Sequence, residues 1–567
     1  MQISRITRLL GLAALPAALA MLPAAASAQA QKPQYGGELN IGTVYLTVSP
    51  LSPDPSDWVW KINQDLGLSY EQLFAADLTK SVRNGGKYPF SSDAWLPPDS
   101  LRGELAESWE MKQNPLRVEV KLRKGVMFPE KPGVMKSREL TAEDVVYSYE
   151  RLNKSPKKIP RYFDHIDKVE ATDKYTVVFH MNKYNAEWDY RFGWGYYSAI
   201  VPKEVTDAGG RDWKNVNGTG PFMLTNYVQS NSLQFEKNPN YWDSVKIGGQ
   251  DYKLPFVDKI NYRIIKDEST FLTALRTAKL DVLEAVRWSA VEELKKSAPQ
   301  IKWNRYLANG GQFVALRMDT KPFDDLRVRR ALNMAVNKQA IIKAYYGGNA
   351  VMLNYPMHQN YDGYFEPLES MPDSVKELFT YDPKKAKALL AEAGYPKGFT
   401  FKVQINASST EQDLLAMVAA YLEQVGVKMQ IETLEYGAYM QAMMKRTNAP
   451  GYYMFLGHTN PTTALRKTFT PGQLWNPSQF NDPEVTKKMD EIYLEPDERV
   501  RQVKVRLLVR QILEQAPMIF LPSPYTFTGY WPWVKNYGGE LRAGAERPGP
   551  IHARMWVDQA LKKQMGF

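Results

Sequence analysis

The sequence predicts an α/β protein with more than one domain. Cleavage of a leader after Ala28 would leave 567 − 28 = 539 residues, and domains hold roughly 100–200 residues each. A strand–helix–strand pattern indicates an α/β domain that extends from Gly311 to about Pro524. Alternating strands around one short helix indicate a different, hairpin-rich domain before it. We therefore expect two or three domains.

The first 28 residues have the pattern of a secretory signal peptide. A basic start is followed by an apolar run from Leu9 to Ala26 and by a small-x-small cleavage pattern that ends at Ala28. A transmembrane helix is the alternative, but Pro16 and Pro23 interrupt the run. No later stretch reaches the ~18 apolar residues that a membrane span needs. The chain has no cysteine that could carry a lipid, so we expect an exported, unanchored protein of the periplasm.

The hairpin-rich part is predicted from alternating and β-branched segments. Residues 36–42 form a first strand between glycines, and residues 117–123 and 175–181 have the patterns of half-buried or buried strands. A helix begins between these two strands at Thr141, with Asp144 three residues later. Because the two side chains can each accept a bond from the other's backbone amide, this spacing is typical of a helix N-terminus.

The α/β part is predicted from a complete strand–helix–strand unit. Residues 399–405 and 427–434 alternate as strands, and residues 410–426 between them have a helical apolar face. Short links of this kind imply parallel neighbours joined by a right-handed crossover. A further helix at residues 382–394 has a capping aspartate, a proline in its first turn and a glycine past its end.

The positive net charge raises the question of a nucleic-acid partner. The net charge is +10, and loss of Arg5 and Arg8 with the leader makes it 10 − 2 = +8. A basic protein can bind nucleic acid, but this one is expected to be exported. Its densest basic patch, residues 154–158, lies in a loop broken by proline. We expect no nucleic-acid partner and a monomer in solution.

No constellation of catalytic or metal-binding residues stands out. The histidines are too far apart for a metal pair, since no two of them lie within five residues of each other: His165, His180, His358, His458 and His552. The sequence has no G-x-S-x-G elbow, no phosphate-binding loop and no cysteine. We therefore expect a protein that is not an enzyme and that needs no metal or cofactor.

Aromatic residues in polar loops are candidates for ligand contact. The chain has 14 Trp, 33 Tyr and 22 Phe, and some of them cluster outside periodic segments, in "DWVWK" (residues 57–61) and "WDYRFGWGYYS" (residues 188–198). Aromatic faces interleaved with Gly and Ser suit a ligand surface. The alternative is packing of these loops over the core. The candidates are Trp58, Trp60, Tyr70, Trp194 and Tyr196.

A polar turn after an apolar strand is the second candidate site. The strand covers residues 452–456, and the turn that follows carries hydroxyls, an amide and an imidazole but no acid before Asp482. Such groups suit a neutral or anionic polar group better than an ammonium, and Arg466 lies close by in sequence. The alternative is a structural turn, with an acid supplied from elsewhere, such as Glu71 or Asp57. The candidates are Gly457, His458, Thr459, Asn460 and Thr462.

Five motifs follow one another along the chain after the leader. They are "GELAESWE" with "LTAEDVVYSYERL" (residues 103–152), "GTGPF" with "EKNPNYW" (218–242), "VDKINYRIIKDESTFLTALRTAKLDV" (257–282), "PFDDLRVRRALNMAVNKQAII" (322–342) and "YDPKKAKALLAEAGYP" (381–396). In this order they resemble the substrate-binding proteins of ABC importers for peptides and nickel, the dipeptide/oligopeptide-binding class, or solute-binding protein family 5.

The resemblance implies a two-lobed periplasmic-binding-protein clamshell of type II, with an extra subdomain in lobe I. A ligand, by default an oligopeptide or dipeptide, would bind between the lobes, and the closed form would dock on a membrane permease with separate ATPase subunits. The implied divisions are lobe I at residues 35–75, 215–307 and 529–567, its extra subdomain at 76–214, lobe II at 308–528, and hinge crossings near 308–312 and 522–528.

The resemblance also gives the polar turn a meaning. Similar peptide binders usually carry an aspartate at this turn, which pairs with the free ammonium of the peptide. The matching stretch here, residues 457–462, has none, and an unpaired ammonium in a closed cleft is costly. A non-peptide ligand, such as an aromatic, glycosidic or metal-chelate compound, therefore stays open beside the peptide. An exported carboxylate-based hydrolase and a sensor without an importer are the less favoured alternatives.

Overall fold

The computed structural model describes residues 32–43, 51–91, 95–265, 267–307, 310–407, 409, 411–457 and 460–567. The predicted signal peptide, His458 and Thr459 lie outside these residues. Two large sheets, each with its own hydrophobic core, make a two-lobed α/β clamshell, which confirms the predicted fold class. Within the described ranges, no helix is long and apolar enough to cross a membrane.

The part of the chain before residue 308 is mainly strands. The strands are β1 (Glu38–Gly42), β2 (Phe74–Ala76), β3 (Leu101–Gly103), β4 (Ala106–Gln113), β5 (Leu116–Leu122), β6 (Met127–Phe128), β7 (Arg138–Glu139), β8 (Ile166–Asp173), β9 (Thr176–Met181), β10 (Phe222–Val228), β11 (Ser232–Lys237), β12 (Ser244–Ile247), β13 (Gln250–Lys253), β14 (Lys259–Arg263), β15 (Val282–Val286) and β16 (Lys302–Leu307). The helices are α1 (Ile62–Leu66), α2 (Ala142–Asn153), α3 (Lys203–Asp207), α4 (Glu268–Arg276) and α5 (Trp288–Ser297), with a π-helical turn at Tyr190–Trp194.

The part after residue 309 alternates strands and helices. The strands are β17 (Gly310–Leu316), β18 (Ala350–Val351), β19 (Thr400–Asn406), β20 (Lys428–Leu434), β21 (Gly451–Gly457), β22 (Met518–Leu521), β23 (Ser523–Tyr530), β24 (Val534–Lys535) and β25 (Trp556–Val557). The helices are α6 (Leu326–Ala335), α7 (Lys338–Ala344), α8 (Asp373–Phe379), α9 (Pro383–Glu392), α10 (Gln412–Glu423), α11 (Tyr436–Met444), α12 (Pro461–Phe469), α13 (Pro483–Tyr493), α14 (Glu498–Glu514), α15 (Gly549–His552) and α16 (Gln559–Gln564).

Lobe I is the part built on a mixed eight-stranded sheet and a four-stranded antiparallel sheet. The first has the order β10-β11-β14-β1-β15-β23-β16, with β18 paired to β23, and the second has the order β4-β5-β9-β8. The strands predicted at residues 117–123 and 175–181 are confirmed as β5 and β9. Helix α2 begins as predicted, because Asp144 Oδ2 accepts a bond from Thr141 N at 2.9 Å.

Lobe II is the part built on a five-stranded sheet of order β20-β19-β21-β17-β22. The predicted strand–helix–strand unit is confirmed, since β19 and β20 pair in parallel and α10 connects them. Strand β17 is buried along its whole length. Its Phe313 and Ala315 pack into one core cluster, and Val314 and Leu316 pack into another. Helices therefore cover both faces of this sheet, as is typical of α/β domains.

The chain connects the two large sheets near both predicted hinge crossings, and the short strand β18, between β17 and β19 in sequence, also pairs with β23. The chain leaves the sheet of lobe I after Leu307 and enters the sheet of lobe II at Gly310, and it returns between Leu521 and Ser523. Strand β23 pairs with β16 of lobe I from Tyr525 to Tyr530, whereas Ser523 and Pro524 pair with β18. The finer residue boundaries of lobes and subdomain given above stay a prediction.

Two histidines are buried in lobe I and stay neutral there. Burial, with the nearby Arg191 cation, lowers the pKa of His165 from 6.5 to about 3. Burial, with Arg542, lowers the pKa of His552 from 6.5 to about 3. The unfolded chain binds a proton near pH 6.5 that the folded protein does not bind until about pH 3. Stability is therefore lost as the pH falls below 6.5.

His165→Leu is expected to weaken this acid sensitivity. Between pH 7 and pH 5, His165 removes about 2 kcal/mol of the free energy of unfolding in the natural protein. Leucine cannot take up a proton, so that loss disappears. Urea unfolding of both proteins at the two pH values measures the difference. An unchanged pH dependence in the variant would show that the folded protein protonates His165.

Candidate ligand-binding cleft

A cavity of about 840 Å³ lies between lobe I and lobe II. Its walls are mainly aromatic, methionine and leucine side chains from both lobes, with a few charged groups. A pocket of this size, with an apolar lining and few polar groups, is typical of a small-molecule site. Aromatic contributions include Trp60, Tyr162, Tyr190, Tyr196 and Tyr306 from lobe I and Tyr436, Tyr453, Phe455 and Trp475 from lobe II.

The wall of lobe II is dominated by one face of helix α11. Tyr436, Tyr439, Met440, Met443 and Met444 recur at i, i+3, i+4, i+7 and i+8 and all line the cavity. Helix α11 packs on strand β21, where the rings of Tyr439 and Tyr452 stack with their centroids 4.4 Å apart. Methionine side chains are flexible and polarisable, so this face can adapt to apolar ligands of different shape.

The charges of the cleft are predominantly positive. Six lining residues are cationic and two are acidic, a balance of 6 − 2 = +4; they are Lys157, Lys158, Arg446, Arg466, Lys467 and Arg542, with Glu284 and Glu546. Arg542 donates to both acids, at 3.1 Å to Glu284 and 3.2 Å to Glu546. Both carboxylates of the described lining thus share one arginine of their own lobe.

Glu187, at the edge of the cleft, joins the two lobes. One of its oxygens accepts bonds from Arg191 Nε at 2.9 Å and Nη2 at 2.5 Å within lobe I. The other accepts from hydroxyls of lobe II: Thr462 at 2.5 Å, Thr463 at 2.6 Å and Tyr493 at 3.1 Å. A backbone bond from Ala186 N to Tyr493 O at 2.8 Å lies beside it.

These contacts favour the ionised form of the Glu187 carboxyl group. Burial by itself would raise the pKa of the carboxyl, but Arg191, Arg466 and the threonine hydroxyls lower it from 4.5 to about 2. The carboxylate is therefore ionised at every physiological pH. Charge-assisted hydrogen bonds of this kind are among the stronger polar contacts in proteins, so this group favours contact between the lobes.

The polar turn has a different structure from the one predicted. Asn460 is the N-cap of α12, with its Oδ1 accepting from Thr463 N at 2.7 Å, and Pro461 starts the helix. The turn therefore ends at Asn460, because proline and a capping asparagine favour a helix start. The structural alternative, capping of the backbone, is confirmed for Asn460. His458 and Thr459 lie outside the described residues.

The structure brings three of the predicted contact residues to the cavity wall. These are Trp60, Tyr196 and Gly457, and the rings of Trp60 and Tyr196 meet edge to face at 6.3 Å. Thr462 and Asn460 lie at the contact between the lobes, where the hydroxyl of Thr462 is committed to Glu187. Ligand contact by any of these residues stays a prediction.

Three other predicted residues lie in the core of lobe I, away from the cavity wall. Trp58 donates from Nε1 to Leu152 O at 3.2 Å and packs on the ring of Tyr197 at 4.6 Å. Tyr70 donates to Pro53 O at 3.2 Å, and Trp194 donates to Asp189 Oδ2 at 3.2 Å. Trp58, Tyr70 and Trp194 thus pack in the core of lobe I with their polar atoms bonded inside the lobe, and ligand contact by them stays a prediction.

The two acids suggested as substitutes for the missing aspartate also have other roles. Glu71 is fully buried, and burial with the neighbouring Glu104 raises its pKa to about 8, while it accepts a bond from Trp242 Nε1 at 3.0 Å. Asp57 forms ion pairs with Lys157 and Arg211. Neither lines the cavity. The acid that meets the first turn of α12 is Glu187, which the sequence analysis missed.

The described residues contain no group of three or more histidine, cysteine or acidic side chains that could hold a metal ion. The cavity lining also includes no histidine among the residues that the structure places there. The side chains that line the cavity offer apolar contact, aromatic stacking and charge.

Comparisons with known proteins agree with this geometry. Residues 100–476 match the family model for bacterial extracellular solute-binding proteins, family 5 Middle. Heme-binding protein A of Haemophilus influenzae is 27% identical over 461 residues, 76% of this chain and 81% of that protein. The dipeptide-binding protein of Escherichia coli K12 is 29% identical over 394 residues, 65% of this chain and 70% of that protein.

Solved structures share the fold. The ABC transporter-associated periplasmic binding protein DppA from Helicobacter pylori, in complex with the peptide STSA, has a TM-score of 0.75 at 23% identity, covering 93% of this chain and 99% of that one. MoaA from A. tumefaciens R10, in complex with mannopinic acid, has a TM-score of 0.74 at 21% identity, covering 92% and 99%. The resemblance drawn from the order of motifs is confirmed. The chain belongs to the bacterial extracellular solute-binding proteins of family 5, the ligand-binding components of ABC importers.

Proposed function

We propose that this protein captures an organic solute in the cleft between its lobes and delivers it to the permease of an ABC importer. The observation that carries the proposal is the cavity of about 840 Å³, which both lobes line with aromatic side chains and lobe II also lines with methionines. A ligand there contacts lobe I and lobe II at once, so it binds the closed form more tightly than the open one. Ligand affinity then shifts the population toward closure.

The contact at Glu187 supports this cycle. Its three hydroxyl donors belong to lobe II, so the bonds form only when the lobes meet. The two chain crossings, after Leu307 and after Leu521, are short and can act as the hinge. We propose that the closed pair of lobes is the surface that the permease recognises and that separate ATPase subunits power the import.

Several finer properties belong to the same proposal. The signal-peptide pattern and the lack of cysteine support export to the periplasm with cleavage and without a lipid anchor. The dispersed basic residues support a protein without a nucleic-acid partner, and we propose a monomer. The paired state of Glu284 and Glu546 supports binding without catalysis or cofactor, since neither carboxyl is available as a general acid or base.

The solute class is open within the family. Relatives carry the names of dipeptide-, glutathione- and heme-binding proteins, and a structural neighbour holds mannopinic acid. We propose a peptide as the default solute. A non-peptide ligand remains the alternative that the acid-free stretch after β21 suggests.

Native mass spectrometry of the gently purified mature protein, before and after denaturation, tests the proposal. We expect an additional small mass on the native protein that denaturation releases. A strain without the gene should lose uptake of that compound. A protein that carries and binds no small molecule, with uptake unchanged in the deletion strain, would contradict the proposal.

A further inference from the structure

The charges of the cleft are distributed unevenly between its two walls. Lobe II contributes Arg446, Arg466 and Lys467, and no acidic side chain of that lobe is among the described lining residues. Lobe I contributes both acids, Glu284 and Glu546, which share Arg542, and two further cations, Lys157 and Lys158. A ligand in the cavity therefore faces only positive charge from lobe II and charges of both signs from lobe I.

Two cations of lobe II have no carboxylate partner within 4.0 Å in the described part of the chain. Arg466 donates to neutral groups, Tyr493 OH at 3.0 Å and Gln473 Oε1 at 3.2 Å. Glu187 acts on Arg466 only over a longer distance and already accepts five bonds. Arg446 is exposed at the end of the methionine face of α11 and forms no ion pair there. Their charges are available to a ligand.

The backbone at Arg446 strengthens this interpretation. Its φ is +59°, in the left-handed region that glycine favours after a helix. A residue with a side chain costs roughly 1 kcal/mol more than glycine there. The strained position thus holds a long cation close to Met443 and Met444, and all three side chains line the cavity. Backbone strain of this kind is concentrated at functional sites.

A positively charged ligand group would find fewer partners in the cleft. A ligand ammonium would need a carboxylate, and the carboxylates of the described lining are the two that Arg542 holds. Taking one of them from Arg542 would leave a buried guanidinium less well compensated, which is costly. Arg542 is only 6% exposed. An amino-terminal peptide group would have to share carboxylates that Arg542 already contacts, whereas an anion meets cations of lobe II that have no carboxylate partner in the described residues.

The apolar surface defines the rest of the ligand. Trp60 of lobe I and Trp475 of lobe II both line the cavity, together with the methionine face of α11. Phe455 and Met444 are 44% and 52% exposed, although such side chains are usually buried. Aromatic and thioether groups bind flat apolar bodies well.

Resting on the proposed function of solute capture, we propose that the cleft selects an organic anion with an aromatic or otherwise apolar body, whose acidic group lies against Arg446 and Arg466. For a peptide, this means a chain whose amino group is blocked or whose net charge is negative.

Four probes with one body and different charges test the proposal. They are N-acetyl-Phe-Phe, an anion; N-acetyl-Phe-Phe amide, which is neutral; Phe-Phe, a zwitterion; and Phe-Phe amide, a cation. Calorimetry with the full mature protein, stripped of bound solute and near neutral pH, gives each affinity. We expect the anion to bind at least tenfold more tightly than the neutral probe and the cation to bind most weakly, with a preference that salt reduces.

Variants locate the preference. Arg446→Gln and Arg466→Gln are each expected to bring the affinity for the anion severalfold closer to that of the neutral probe. Arg327→Gln, an exposed cation of lobe II outside the cavity, changes the net charge equally and should leave the ratio unchanged. Because Arg446 is exposed, its variant should fold even if Arg466→Gln does not.

Other outcomes would overturn the proposal. A zwitterion that binds most tightly would show that the cleft captures an ammonium, and equal binding of anion and neutral probe would show that the arginines are not used. No binding of any probe at millimolar concentration would exclude an apolar body of this kind. In all three cases, a co-purifying solute whose uptake needs this gene would leave the proposed transport function intact. If no such solute were found, both the transport function and the preference for an anion would be contradicted.

Discussion

Glu187→Gln is expected to destabilise the folded protein by about 3–5 kcal/mol and to open the cleft between the lobes. The substitution removes the negative charge that Arg191 faces at 2.5 Å, and both side chains are buried, with exposures of 3% and 2%. A buried guanidinium without its carboxylate is the costly half of a broken pair. The glutamine amide can also accept fewer of the three bonds that lobe II donates.

Two measurements separate the consequences of this substitution. Urea unfolding reports the loss of stability, and small-angle X-ray scattering of the ligand-bound protein reports an increase in the radius of gyration if closure is weakened. Glu170→Gln is the matched control, since Glu170 pairs with Lys168 and His180 on the surface of the same lobe. Exposed pairs contribute about 0–1 kcal/mol. Equal effects of the two variants would contradict the role given to Glu187.

Thr462→Val tests the bond between the lobes without breaking the ion pair. Valine has the shape of threonine but cannot donate to Glu187, which Thr462 meets at 2.5 Å across the lobes. We expect a loss of about 1–3 kcal/mol that falls on the closed form. A radius of gyration that stays unchanged in the ligand-bound variant would show that this hydroxyl does not help to hold the lobes together.

The pH dependence of the same contact has a definite sign. The folded pKa of Glu187 is lowered from 4.5 to about 2. The contribution of its charge is therefore fully present above about pH 4.5 and is lost as the pH falls toward 2. Glu187→Gln should lack this part of the acid response, which begins near pH 4.5, whereas the effect of His165 begins near pH 6.5.

The predictions from sequence succeeded where neighbouring residues decide the structure. The cap of α2 is formed by Thr141 and Asp144, which are three residues apart. The parallel pair β19 and β20 follows from one strand–helix–strand segment. In each case the signal is local, because the residues that form the bond or the apolar face lie within one element or its immediate neighbours.

The site was harder to predict because its contacts are distant in sequence. Thr462 is separated from Glu187 by 275 residues, and Tyr493 by 306. The methionine face of α11 has the same period as the buried face of any helix, so the sequence cannot show whether it meets a core or a cleft. The pair of Glu187 and Arg191 at i and i+4 was the one local hint.

Trp58 and Trp60 lie in the same five-residue segment, and the sequence could not show which of them packs in the core and which lines the cleft. Exchange of each for alanine should separate their roles. Trp58→Ala is expected to cost about 3–5 kcal/mol in the free energy of unfolding, because the ring is 8% exposed and packs against Tyr162, Phe163 and Tyr197. Its ligand affinity, measured on the fraction that remains folded, should change little.

Trp60→Ala is expected to have the opposite effect. Trp60 lines the cavity, so its removal should lower the affinity for the solute recovered from the native protein by about 10–100-fold, as aromatic anchors in binding sites often do. The free energy of unfolding without ligand should change by less than about 1 kcal/mol, since little core packing is lost. Urea unfolding gives the free energy of unfolding of each variant, and calorimetry gives the ligand affinity of each.

The comparison between these two variants decides how the aromatic segment works. Each tryptophan is the matched control for the other, because both lie in the same loop and lose the same number of atoms. If Trp58→Ala left stability unchanged but abolished binding, the loop would have to place both rings in the cleft when ligand is present. If it destabilises the protein while Trp60→Ala weakens binding, one ring fixes the loop on the core of lobe I and thereby holds the other against the solute.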